Sequence, residues 1–127
     1  MKRILIVEDE AIIREGLKNN IPWKEMGFEV AGTACNGRKA VEMLENLHVE
    51  VVMTDVRMPV MDGLEATKFI RNLERMDSKK VPIIAMSANT HKKDIETALK
   101  AGMSTHIGKP FDIKELYKVI SLELIKE

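Results

Sequence analysis

The feature that most constrains this chain is a repeated switch between two hydrophobic periods. Five short apolar or β-branched runs stand in order: RILIV (3–7), FEVAGTAC (28–35), VEVVMT (49–54), VPIIAMS (81–87) and THI (105–107). Each is followed by a stretch whose apolar residues recur three or four apart, the spacing of one helical face. Ile13, Leu17 and Ile21 share a face from about Ala11, and GRKAVEMLENL (37–47) stripes Ala40, Val41, Leu44 and Leu47. The segment from Gly63 to Met76 carries Ala66, Phe69, Ile70 and Leu73. Ile95, Ala98 and Leu99 mark a fourth helix, which Gly102 is placed to close in a left-handed cap. Leu116, Val119, Ile120 and Leu124 stripe a fifth. Asp62-Gly-Leu-Glu65 and Asp112-Ile-Lys-Glu115 read as capping boxes at two helix starts. Five strand–helix units in succession dictate an α/β fold, a parallel sheet covered on both faces through right-handed crossovers.

The chain has 127 residues, enough for one domain with a sizeable core, and we read 1–127 as that domain. No linker or repeat interrupts it, and ERMDSKK (74–80) reads as a surface loop. Twenty basic and twenty acidic residues cancel, so no bulk charge favours direct nucleic-acid binding. The longest apolar runs have strand length, which argues against a membrane span. MKRILIV is broken at once by Glu8-Asp9-Glu10, unlike a cleavable leader. A single cysteine cannot form an internal disulfide, so a cytoplasmic setting is expected. That residue, Cys35, reads as a small buried hydrophobe, and the nine methionines as core filling.

Open parallel sheets bind ligands at the carboxyl ends of their strands. The first run ends at Glu8-Asp9-Glu10, the third at Asp55, the fourth at Ser87-Ala88-Asn89, and the fifth leads into Gly108-Lys109-Pro110. Three carboxylates gathered in one pocket repel one another unless a cation holds them. An all-oxygen donor set suits Mg²⁺, which keeps waters and completes its shell with phosphate. Lys109 and the Ser87 hydroxyl would then meet phosphoryl oxygens, with one carboxylate as nucleophile. Taken singly, each residue has a plainer reading. Glu8 and Asp9 favour a helix macrodipole, Ser87 suits a turn, and Lys109 suits an exposed surface. A carboxylate ending an apolar strand is harder to explain away, and the four together point to a metal-assisted phosphoryl acceptor.

Over essentially all its length the chain resembles the receiver domain of two-component response regulators, through ILIVEDE, VVMTDVRMPVMDG, IIAMSAN and AGMSTHIGKPF. The resemblance implies a doubly wound, flavodoxin-like sheet in the order 2-1-3-4-5 flanked by five helices. It implies that Asp55 accepts a phosphoryl group from a phosphohistidine on a sensor histidine kinase or phosphotransfer protein. Asp9, Asp55 and the Arg57 backbone carbonyl would hold Mg²⁺, and Glu8 would act through water. Lys109 would pair with Asp55 and then with the phosphoryl group, Ser87 would turn inward, and Pro110 would follow a cis peptide bond. Arg57 and Asn89 would influence the lifetime of the phosphoaspartate. The output surface would be the fourth helix, fifth strand and fifth helix, which also offers a homodimer contact.

One position departs from the family pattern. His106 stands where Tyr or Phe is usual, and two readings follow: a half-exposed strand residue without a switching role, or a switch that depends on pH. His48 and His91 read as solvated helix-end residues. A haloacid-dehalogenase-type phosphohydrolase would want a second Asp two residues past the nucleophile, where this chain has Arg57, and would carry the nucleophile on the first strand. A nucleotide-binding domain would want a glycine-rich first turn, where this chain has three acids. A docking module that is never phosphorylated would not need the complete acceptor set. REGLKNNIPWKEMGFEV (14–30) is similar to receivers joined to AraC-type DNA-binding domains, whereas VPIIAMSAN and the segment from Lys100 to Ile120 are similar to receivers of hybrid histidine kinases. A stand-alone regulator and a domain of a longer protein both remain open.

Overall fold

The computed structural model describes residues 1–56, 58, 60–73, 80–87 and 92–125. Within them β1 (Lys2–Val7), α1 (Ala11–Asn19), β2 (Phe28–Ala34), α2 (Gly37–Leu44), β3 (Val51–Asp55), α3 (Gly63–Arg71), β4 (Ile83–Ser87), α4 (Lys92–Lys100), β5 (Thr105–Gly108) and α5 (Ile113–Ile125) follow one another. The strands form one sheet in the order β2-β1-β3-β4-β5, every pairing parallel. Because the order reverses direction at β1, the connections to β2 and β3 leave on opposite sides. That opens a crevice at the carboxyl ends of β1 and β3.

Strand composition follows from burial on both faces. In β1, Ile4 and Ile6 pack on one face while Leu5 and Val7 pack on the other. β3 and β4 divide in the same way: Val52, Ile83 and Ala85 on one side, Val51, Met53, Ile84 and Met86 on the other. A strand covered twice needs no polar alternation, which explains the unbroken apolar runs. α2, α3 and α4 contribute Ala40, Leu44, Ile70 and Ala98 to the first face, and α5 contributes Leu116 and Ile120 to the second. Trp23 and Phe28 close the second face beside α1, their rings edge to face at 6.2 Å, and Trp23 Nε1 donates to the Leu17 carbonyl at 2.8 Å.

Several expectations need correction. Helix α3 ends at Arg71 rather than running to Met76, because the Asn72 N–H turns back to the Phe69 and Ile70 carbonyls and its side chain donates to Lys68 O. The buried face of α3 is Gly63, Ala66, Thr67 and Ile70, while Phe69 is 54% exposed. Thr67 replaces it without penalty, its hydroxyl donating to Gly63 O at 2.7 Å. Leu99 is likewise exposed, and Ala98 is the one fully buried residue of α4. Helix α2 stops at Leu44, three residues short of the stripe, although Leu47 still packs against the core. Cys35 is exposed: it lies just past the end of β2, where the chain has left the sheet. The expected surface loop at 74–80 lies outside the described residues except for Lys80.

Candidate functional site

At the carboxyl edge of the sheet, β1, β3 and β5 each deliver one piece of the same pocket. β1 runs into Glu8, whose N–H donates to Ala34 O of β2 at 3.0 Å, so Glu8 is still gripped by the sheet although its side chain is charged. It is 1% exposed. Burial of a carboxylate requires partners, and they are present: Lys109 Nζ donates to Glu8 Oε1 at 2.9 Å and the Glu10 N–H to Oε2 at 3.2 Å.

Asp55 ends β3, where Thr54 below it is buried and donates its hydroxyl to the Asp55 carbonyl. The Asp55 side chain retains 16% exposure, and its Oδ2 accepts from Lys109 Nζ at 3.2 Å. Lys109 therefore bridges two strand ends from a third, its own N–H donating to Ser87 O at 2.8 Å. The Lys109–Pro110 peptide bond is cis. Carboxylate oxygens of Glu8, Asp9 and Asp55 lie within 4.8 Å of one another.

The electrostatics follow from this crowding. Desolvation, which alone would lower it, acts on the Lys109 ammonium, but the Glu8 hydrogen bond and the charges of Asp55 and Glu8 outweigh it and hold its pKa above the ordinary value. Asp9 is raised, first by desolvation and then by its hydrogen-bond contact and like charge with Glu8; its backbone hydrogen bond and Lys109 oppose this. One ammonium thus meets an all-oxygen set of three clustered carboxyl groups. Such a donor set fits a divalent cation held by oxygen ligands.

The loop leading from Asp55 back into the fold is tightly built. Gly63 donates its N–H to Val56 O at 2.8 Å, and a Cβ there would collide with the Asp55 carbonyl oxygen. Only glycine lets the start of α3 approach the end of β3 so closely. Asp62 caps that helix, accepting from the Glu65 N–H at 2.8 Å, just as Asp112 caps α5 by accepting from Glu115 N–H at 2.7 Å.

A family model described as the response regulator receiver domain matches residues 4–121. The chain belongs to the response regulator receiver family. Among curated proteins, this receiver is 38% identical over 120 residues to the chemotaxis protein CheY of Thermotoga maritima, covering 94% of the chain and 95% of that protein. It is 37% identical over 122 residues to the transcriptional regulatory protein PdtaR of Mycobacterium tuberculosis, covering 95% of the chain and 56% of that protein. A 39% match over 121 residues to a protein-glutamate methylesterase/protein-glutamine glutaminase of Methanococcoides burtonii covers 94% of the chain and 33% of that protein. The receiver thus spans about half or less of these two longer relatives. Among solved structures, the receiver domain of a sensor histidine kinase from Pseudomonas aeruginosa superposes with a TM-score of 0.84 at 32% identity, covering 97% of each chain. That structure holds a magnesium ion in its active site cleft.

The receiver brings Glu8, Asp9, Asp55 and Lys109 into one pocket. Ser87 at the end of β4 and His106 on β5 are both half-buried on the wall of a cavity of about 300 Å³ under α4 that Asp62, Asp94 and Thr97 also line. Arg57, Asn89 and His91 fall outside the described residues. His48 is exposed and pairs with Glu50 at 3.1 Å. Sequence reasoning missed Arg14, whose guanidinium reaches back to the carbonyls of Glu8 and Asp9. The available signal was a basic residue near the start of a helix, where the macrodipole disfavours it. No helix among the described residues is long and apolar enough to cross a membrane.

Proposed function

We propose that this receiver is a phosphoacceptor whose Asp55 carboxylate takes a phosphoryl group from the phosphohistidine of a sensor histidine kinase or phosphotransfer protein. The observation that carries the reading is the Lys109 ammonium set between the Asp55 and Glu8 carboxylates at 3.2 and 2.9 Å. In the transfer an Asp55 oxygen forms the new bond to phosphorus as the donor's N–P bond breaks, and the imidazole leaves with the electron pair and takes up a proton. Asp9 and Asp55, with the Arg57 carbonyl and Glu8 through water, would hold Mg²⁺, which when bound supplies charge neutralisation for the phosphoryl oxygens.

Lys109 already spans the acceptor and the buried acid, so it can follow the growing negative charge without crossing the pocket. Its neutralisation allows an anionic carboxylate to approach an anionic donor. Ser87, at the end of the adjacent strand, supplies a hydroxyl for the phosphoryl group. The cavity it shares with His106 and α4 links that event to the α4-β5-α5 surface, the proposed output and dimer face. The likeness to a receiver that is part of a histidine kinase supports a second placement, within a hybrid kinase, with the same chemistry.

Incubation with acetyl phosphate and Mg²⁺, read by intact mass, tests the reading. The expected result is one phosphoryl adduct in the wild type and none in Asp55→Asn or in EDTA. An adduct that persists in Asp55→Asn would move the acceptor elsewhere, and no adduct in the wild type would remove the reading.

A further inference from the structure

Helix α1 begins without the side-chain cap that α2, α3 and α5 carry. Its N-cap, Glu10, makes no capping hydrogen bond, and its first turn holds no acidic residue. Arg14, four residues into the helix, instead folds back over the helix start. Its Nη1 donates to the Glu8 carbonyl at 2.9 Å and approaches the Asp9 carbonyl at 3.4 Å. A cation here opposes the helix macrodipole, so helix stability does not explain it. What the arrangement does fix is the β1–α1 turn. The two carbonyls belong to the peptide planes on either side of Asp9, and holding both sets the direction in which the Asp9 Cα–Cβ bond points. Glu8 is aimed by Lys109 and the Glu10 N–H, whereas the contacts of the Asp9 carboxyl are with its neighbour Glu8 and its own backbone, so its aim follows the backbone of the turn.

We propose that Arg14 is a positioning residue that orients Asp9 for a divalent cation, acting through the backbone carbonyls of Glu8 and Asp9 and touching neither ligand atom nor substrate. The inference rests on the reading of the acidic pocket as a Mg²⁺ site. Charge and geometry make opposite predictions about removing Arg14. As a nearby positive charge it repels the cation, so its loss would tighten binding. As a support for the turn its loss weakens binding, and outer-shell partners of metal ligands typically change affinity by about 10–100-fold.

The test is a Mg²⁺ titration followed by two-dimensional amide NMR on wild type, Arg14→Ala and Arg14→Lys, with thermal midpoints in EDTA alongside. Arg14→Ala is expected to raise the Mg²⁺ Kd about tenfold or more. Arg14→Lys should recover much of the loss, because one ammonium can reach both carbonyls. If Arg14→Ala does not fold, Arg14→Met, which keeps the aliphatic stem, is judged by the same criterion. Wild-type binding with an unchanged or lower Kd in the variant overturns the positioning role alone. Absence of Mg²⁺ binding by the wild type overturns the metal site and this role together.

Discussion

At the scale of single residues the pocket is a problem in charge that the fold leaves partly unsolved. Glu8 is buried and depends on Lys109. Lys109→Met leaves that carboxylate without its ion pair and should destabilise the metal-free protein by about 1–3 kcal/mol in urea unfolding at pH 7. Unchanged stability would mean that the Lys109 bridge contributes nothing to the fold. Asp9 lies on the other side of the ledger. Its folded-state pKa is raised above 3.8, so ionised Asp9 is disfavoured by folding. Stability from this group is therefore present below its unfolded pKa and lost as pH rises through the raised folded value. Asp9→Asn should raise the thermal midpoint in EDTA at pH 7, with the gain fading once pH falls below about 4. A gain that persists unchanged in acid would show that ionisation is not its source. Asp9 and Asp55 were legible as candidate site residues because carboxylates at the ends of apolar runs are conspicuous. Arg14 was not, because nothing in a helical period says that a side chain will fold back across its own helix start.

The elements explain how a charge is held steady at a sheet edge. The β3–α3 connection contains two residues whose backbones demand opposite things. Val60 has φ 71° and is exposed, a left-handed conformation that a β-branched residue adopts at a cost. Val60→Gly relieves the steric term, about 1–2 kcal/mol, against the added chain entropy of glycine, about 0.5–1 kcal/mol. A net gain of about 0.5–1 kcal/mol in urea unfolding is expected; a loss would show that the side chain makes a compensating contact. Three residues on, Gly63→Ala drives a methyl group into the Asp55 carbonyl. It should cost about 1–3 kcal/mol and, by displacing the end of β3, slow acetyl phosphate labelling as well. Normal labelling in a folded Gly63→Ala protein would show that the acceptor strand tolerates the shift. Element existence was readable from the hydrophobic periods. Which side of α3 and α4 is buried was less so, since Thr67 displaces Phe69 and Leu99 stays exposed. A stripe four residues wide offers more apolar positions than a short helix can bury.

On the scale of the whole molecule, the two ends of the parallel sheet divide the work. The carboxyl edge gathers Glu8, Asp9, Asp55 and Lys109, and the amino edge is tied together by Arg71. Its guanidinium is half-buried and donates to Gly102 O at 2.9 Å and Val81 O at 2.7 Å, and lies 3.4 Å from Ser104 Oγ. It joins α3 to the starts of β4 and β5, and burial lowers its pKa. Arg71→Ala leaves two carbonyls without this donor and should cost about 1–3 kcal/mol of stability. The Mg²⁺ affinity of the folded variant should not change, because the proposed site is at the other edge. A large loss of affinity at full folding would show that the two edges are coupled.

The sequence by itself determined the alternation of strands and helices, the two-sided burial of the sheet and the acid at the end of each relevant strand. These follow from local periodicity and from the cost of leaving apolar runs in water. Tertiary structure decided what no local pattern encodes. Lys109 pairs with Glu8 across 101 positions of chain as well as with Asp55, Gly63 is pressed against the end of β3, and Arg14 turns back onto the acidic turn. Those contacts depend on which strands become neighbours, and the order β2-β1-β3-β4-β5 brings the ends of β1, β3 and β5 within reach of one ammonium group.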